Sequence, residues 1–317
     1  MRLFRLLILS AFIMVFSFSV SAQLPSDAVR AIQWNADNSL LAISRQNGIV
    51  EIIDGETLDQ LQSIQAQISG PVIELEWHPN LQIPYLATGG TEGVIKVWDV
   101  ASGNNVANLV GASPELITGI SWNSTGNQII GFTISGRTIL WDWNITTNTV
   151  IFEAPGFTPY SPTGAWSIDG LYYAVVTSSS VGIFDATSPN EGQLLVGLNE
   201  HTNVIGDIAW SPNPNTPHIL VSAGADQTVR FWDAPAEELL YTVELAENPI
   251  MVEFSPDGSM VAVIDISGTI TVWDVDNFTF IQEFETSSIP IFSWQSNDTI
   301  TYIDENNEVA FINLSEM

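Results

Sequence analysis

Residues 249–284 read PIMVEFSPDGSMVAVIDISGTITVWDVDNFTFIQEF, and this stretch decides the fold. Ile250 to Phe254 alternate in the manner of a strand with one buried face. Ser255-Pro256-Asp257-Gly258 makes a tight turn, in which Pro fixes φ and Gly accepts a positive one. Met260 to Ile264 is a second run of apolar, β-branched residues, and Asp265 to Gly268 turns the chain again. TITVW, Thr269 to Trp273, closes at Asp274 as a third strand, and Phe278 to Phe284 reads as a fourth. Strands of about five residues suit one small twisted sheet.

The same template recurs on both sides. One column of landmarks is Trp34, Trp77, Trp122, Trp166, Trp210, Phe254 and Trp294, at steps of 43, 45, 44, 44, 44 and 40 residues. A second ends short apolar runs at Asp54, Asp99, Asp142, Asp185, Asp233, Asp274 and Asn313, at steps of 45, 43, 43, 48, 41 and 39. Two columns in phase at this period mark propeller blades of four strands. The expected fold is all-β: a seven-bladed β-propeller of four-stranded antiparallel blades. The repeats lie near residues 28–68, 69–111, 112–156, 157–200, 201–246, 247–286 and 287–317. Length alone would suggest two domains, but blades share walls and close as one unit, here residues 23–317.

The first 22 residues read as a signal peptide. Arg2 and Arg5 open it, residues 6–20 (LLILSAFIMVFSFSV) carry no charge, and Val20, Ser21 and Ala22 are small exit residues. A retained membrane anchor is the alternative, at the lower length limit for spanning a bilayer. The expected location is therefore exported: secreted, periplasmic or at the cell surface.

Charge is lopsided, with 7 basic and 36 acidic residues and a net charge of −29. Such a surface repels phosphate backbones, which argues against nucleic acid, and favours solubility or recruitment of a basic partner. The chain has no cysteine, which excludes disulfides, thiol catalysis and thiolate metal sites.

In these features the chain resembles the WD-repeat family of seven-bladed propellers. The fifth repeat carries the fullest pattern: His201 before the inner strand, Ser222 in the second strand, Asp226 in the turn, and Trp232 and Asp233 at the end of the third. The resemblance implies that His201, Ser222, Asp226 and Trp232 form a hydrogen-bonded chain that locks the blade. The position of Asp226 is held elsewhere by Asn47, Glu92, Ser135, Ser178, Ser267 and Asn306, and no other repeat has a His nine residues before its inner landmark. The expectation is that the other six blades are held mainly by packing.

No catalytic motif or metal-ligand spacing stands out. His78 lies in a turn, His201 belongs to the lock, and His218 opens a strand. Runs such as Asp274-Val275-Asp276-Asn277 lack the Gly and distal Glu of a calcium loop. Trp143 and Tyr160 lie outside the columns and are expected to pack between blades. Asn123, Asn144, Asn277, Asn297 and Asn313 are glycosylation acceptors only in a glycosylating secretory route. No catalytic residue, metal or cofactor is assigned.

The expected function is an exported, non-enzymatic scaffold for a protein or peptide. The alternatives are a secreted hydrolase or lactonase using channel carboxylates, and a glycan-binding module. Three or more channel carboxylates or histidines converging on one point would favour the enzyme; Ser, Thr and aliphatic residues would favour the scaffold. One structural expectation is sharper. The resemblance implies that an N-terminal segment supplies the last blade's outer strand, and the repeat step places that segment near residues 15–21, inside the signal peptide. The last blade is then three-stranded, and Glu308, Val309, Ala310, Phe311 and Ile312 form an edge open to strand addition or self-association.

Overall fold

A computed structural model describes residues 25–111, 113–143, 148–154, 163–187, 192–286 and 291–315, with the strand Asn148–Ala154 described by its backbone. Residues 1–22, the segment 15–21, Tyr160 and Asn144 lie outside the described residues. All regular structure among the described residues is β.

Seven antiparallel sheets follow one another along the chain. The first contains Val29–Trp34, Leu40–Arg45, Ile49–Asp54 and Gln60–Gln65, and the next five repeat this order. The inner strands are Val29–Trp34, Val72–Trp77, Ile117–Trp122, Gly164–Trp166, Ile205–Trp210, Pro249–Phe254 and Phe292–Ser296, and each touches the next around a ring. Phe292–Ser296 also touches Val29–Trp34, so the ring closes. Blade walls are apolar: Trp232, Leu220, Ile183 and Ile208 pack in one cluster across two blades. Burying a side chain of this size contributes roughly 1.5–3 kcal/mol.

The seventh sheet has three strands: Phe292–Ser296, Thr299–Ile303 and Val309–Asn313. The sequence reading of residues 308–314 as one strand is trimmed to Val309–Asn313, because Asp304 and Asn307 hold the preceding turn and Glu308 N–H donates to Asp304.

Two register shifts recur in the blades. One falls just before the second landmark column, as at Phe231/Trp232 and Val97/Trp98. The other falls on the inner strand, at Val29/Ala31, Val72/Glu74, Ile205/Asp207 and Pro249/Met251. An extra residue of this kind bends a strand and re-aims the side chains beside it. Glu74 and Asp207 follow these inner shifts directly.

Candidate functional site

Polar groups collect at four places: the fifth blade, the joints between blades, the central channel, and the edge of the last blade. The fifth blade brings the four sequence-assigned residues together. Trp232 Nε1–H donates to Ser222 Oγ at 2.9 Å, Ser222 Oγ lies 2.7 Å from His201 Nε2, and His201 Nδ1 lies 3.0 Å from Asp226. Asp226 also accepts from Thr202 N–H and Thr228 Oγ1–H. Burial lowers the His201 pKa, which keeps the ring neutral. Burial opposes ionisation of Asp226, but its hydrogen bonds outweigh that and hold the carboxyl below its ordinary range. Neutral His201 thus donates from Nδ1 and accepts at Nε2, and every member of the chain has a partner.

Blades two, three and six add side-chain hydrogen bonds of their own to the packing that the sequence leads one to expect. In the second blade Trp98 Nε1–H donates to Thr88 Oγ1 at 3.0 Å, and Gln67 accepts from Thr91 Oγ1–H at 3.0 Å. In the third, Glu115 accepts from Thr133 and Ser135 and lies 3.6 Å from Arg137. In the sixth, Trp273 donates to Thr271. The chemistry is kept while the residue types change, so a search for His and Asp misses it.

The first landmark column also stitches neighbouring blades together. Trp77 Nε1–H donates to Gln33 O, Trp122 to Glu76 O, Trp210 to Ala165 O and Trp294 to Glu253 O, at 2.9–3.3 Å. Trp34 crosses the seam to Thr301 Oγ1 at 3.0 Å. Phe254 has no N–H to give; beside it, Val252 N–H donates to Asp207 at 3.0 Å.

The channel holds what the sequence reading missed. Glu74, Glu76, Asp207 and Glu253 sit one or three residues before the inner landmarks of blades two, five and six. All four are half-buried, enclosed by the surrounding blades. Burial pushes Glu76 and Asp207 up to about 7 and Glu253 to about 8, and raises Glu74 well above the carboxylate range. Asp207 and Glu76 add to the effect on Glu74 and on Glu253. Gln33 Nε2–H donates to Glu76 at 2.8 Å, and Ser293 Oγ–H to Glu253 at 3.1 Å. The lining is therefore not purely Ser, Thr and aliphatic, and among the described residues no three acids or histidines are grouped so that they could hold a metal ion. The register offset from the landmark column would have found these acids; abundance hid them among 36 acidic residues.

The remaining histidines stay apart. His78 is buried in its turn, where Asn80 N–H donates to Nδ1 and Nε2 lies 3.1 Å from Gly126 O. His218 is half-exposed, with Nε2 3.7 Å from Asp233. Trp143 is buried, with its ring 5.4 Å from Trp122.

At the seam between the last and first blades, Gly55, Glu56, Leu58, Gln295, Thr299, Phe311 and Asn313 line a cavity of about 580 Å³. Leu58 and Phe311 are 43% and 41% exposed. Leu58 has a φ of 60°, a left-handed position that the second blade fills with Gly103. Among the described residues only Thr299–Ile303 pairs with the edge strand Val309–Asn313. Glu308, Val309, Ala310, Phe311 and Ile312 thus lie together along one blade rim.

Comparison with known proteins agrees with this architecture. Residues 172–303 match the family model described as Eukaryotic translation initiation factor eIF2A, and residues 12–80 match the Anaphase-promoting complex subunit 4 WD40 domain. The chain is 26% identical over 277 residues to Protein TOPLESS of Arabidopsis thaliana, covering 83% of this chain and 24% of that protein. It is 27% identical over 285 residues to Periodic tryptophan protein 2 homolog of Mus musculus, covering 89% and 30%. Protein TPR3 of Oryza sativa subsp. japonica is 24% identical over 291 residues, covering 87% and 25%. The chain spans less than a third of the length of each of these relatives. Two landmark columns and seven sheets in a closed ring lead to one statement: the chain is a seven-bladed β-propeller, similar to WD-repeat proteins.

Proposed function

We propose that this chain is an exported, non-enzymatic scaffold that binds a protein or peptide by strand addition to its last blade. The observation that carries the reading is the edge Val309–Asn313, next to a cavity flanked by the exposed Leu58 and Phe311. Unpaired backbone groups on an edge supply affinity, and a neighbouring pocket for alternate side chains supplies specificity. The occupant that fits is an extended segment with an apolar residue opposite Phe311 and basic flanks, given the net charge of −29. A family description naming a complex subunit is in keeping with a protein-binding role. Export rests on residues 1–22, and the acidic surface argues against nucleic acid as a partner.

A rival occupant is the chain's own N-terminal part. Asn307 Nδ2–H donates to Asp27 O, and Val29 N–H donates to Asn307 Oδ1, so the described chain begins beside the turn that leads into the edge. A photo-crosslinking residue in place of Phe311, in protein recovered from the exported fraction, separates the two. The expected product joins Phe311 to another polypeptide; crosslinks only to residues 15–21 of the same chain would overturn the reading. The hydrolase reading draws on the channel acids, and a broad hydrolase screen is expected to show no turnover.

A further inference from the structure

Val309 and Phe311 hold, in the last blade, the places of Val229 and Phe231 in the fifth, four and two residues before the second landmark column. Val229 and Phe231 are fully buried, and the outer strand Glu238–Glu244 sets Val243 and Tyr241 opposite them. Val309 is half-buried and Phe311 is exposed. The residue types are the same, so the difference comes from what lies across from them.

The register fixes which backbone groups of the edge face outward. Asp304 N–H donates to Glu308 O and Leu314 N–H donates to Asp298 O, at the two ends of one ladder. Bonded residues alternate in an antiparallel pair, so Ala310 and Ile312 turn N–H and C=O toward Thr299–Ile303. Val309, Phe311 and Asn313 turn theirs to the free side. The fifth blade has the same phase: Leu245 N–H donates to Gln227 O, so Val229 and Phe231 bond to their outer strand. A strand added to the last blade meets the backbone pattern that Glu238–Glu244 meets in the fifth.

The other blades show what such a strand carries. Ile64, Leu109, Leu198 and Val243 lie opposite Val50, Ile95, Val181 and Val229, the counterparts of Val309. All four are aliphatic and buried, and each belongs to the apolar cluster between its own blade and the next. The cluster between the last and first blades contains Val29, Ile32, Trp34 and Ile303, with Val309 packed against it. Among the described residues no outer-strand side chain enters that cluster. Opposite the counterparts of Phe311 the residues vary widely: Gln62, Ala107, Val196, Tyr241 and Gln282. Opposite those of Ala310 they are small or polar, as at Ser63, Gly197 and Thr242. Charge sets the flanks. Asp304, Glu305 and Glu308 stand at the start of the edge, and Glu56 lines the cavity beside it, so basic ends complement the site.

We propose that the partner strand comes from another polypeptide, runs antiparallel to Val309–Asn313, and is selected by one aliphatic residue opposite Val309. A small or polar residue precedes that anchor, and basic residues flank the strand. This rests on the edge reading above and moves its main specificity from the exposed Phe311 to the half-buried Val309.

Fluorescence anisotropy on protein from the exported fraction tests it. The probe is a labelled synthetic peptide copying residues 238–244 (ELLYTVE) with Lys in place of both terminal Glu residues. Saturable binding is expected. Asp in the peptide at the place of Val243 should weaken binding at least about tenfold, because a charge would enter the apolar wall. Ser at the place of Tyr241 should weaken it less than about threefold, within the range of a single cross-strand pair. Restoring the Glu ends should weaken binding, and added salt should shrink that difference. In the protein, Phe311→Pro should abolish binding, since it removes an N–H on the free side and none that bonds Thr299–Ile303. An unchanged melting temperature shows that this variant is folded. Equal binding of the Val and Asp peptides, or no binding of the Val peptide, overturns the inference. If Phe311 still crosslinks to another polypeptide in that case, the edge reading stands without it. Dimers of the chain alone that the peptide splits assign the edge to a second copy, and crosslinks confined to residues 15–21 of the same chain assign it to the N-terminal part. Either result also overturns the inference.

Discussion

The fifth blade and the channel each gather four polar side chains, and they differ in completion. Around His201, each donor meets an acceptor, from Trp232 through Ser222 to Asp226. Around Glu253 the side chains are half-buried, two oxygens have no donor, and the acids are all of one sign. A completed cluster rigidifies the structure around it, whereas a half-completed one is costly. The same fold thus contains a completed lock and a group of channel acids, and their responses to pH have opposite signs. His201 and Asp226 have lowered pKa values, so their contribution is present at neutral pH and is lost as pH falls below about 6.5. Glu76, Asp207 and Glu253 have raised values, so their contribution is present in acid and is lost as pH rises from about 4 through 7–8.

The largest effect is expected from breaking the lock. His201→Ala removes a partner from Ser222 and Asp226 at once and should cost about 1–3 kcal/mol, read as the denaturant midpoint at neutral pH. An unchanged midpoint would mean that the cluster's completeness contributes nothing to stability. Glu253→Gln should act in the other direction. It removes a buried charge and should raise stability by about 1–2 kcal/mol at pH 9, with little change at pH 5. Destabilisation at both pH values would show that Glu253 is a structural partner like His201.

Smaller effects separate stitching from locking. Trp210→Phe keeps the aromatic wall but removes the hydrogen bond to Ala165 O, and should cost about 0.5–1.5 kcal/mol. Phe254 already occupies the equivalent place in the sixth blade, so a larger loss would mean that the ring depends on this stitch more than its natural variation suggests. Thr88→Val should cost about 1 kcal/mol by leaving Trp98 Nε1–H without its acceptor. No loss would return the second blade to packing alone.

The landmark columns made the fold legible, because a blade must place an aromatic residue at the same register in each turn of the ring. They also exposed the His201 chain, whose members sit at fixed offsets from Trp210 and Trp232. The missed features had a signal of another kind. Gln67, Thr88 and Glu115 do the locking with other residue types, so identity fails where hydrogen-bonding capacity would have succeeded. Glu74, Glu76, Asp207 and Glu253 are ordinary carboxylates in an acidic chain until the ring closes and turns them toward one another. The cavity beside Phe311 depends on Leu58 of the first blade meeting the last, a contact between ends of the chain that no local pattern encodes.

The most direct test of the contrast is stability measured across pH for the unaltered protein, His201→Ala and Glu253→Gln. The account predicts that the unaltered protein loses stability on both the acid and alkaline sides. His201→Ala should flatten the acid limb and keep the alkaline one, and Glu253→Gln should flatten the alkaline limb and keep the acid one. An alkaline limb that is the same in Glu253→Gln as in the unaltered protein would contradict it.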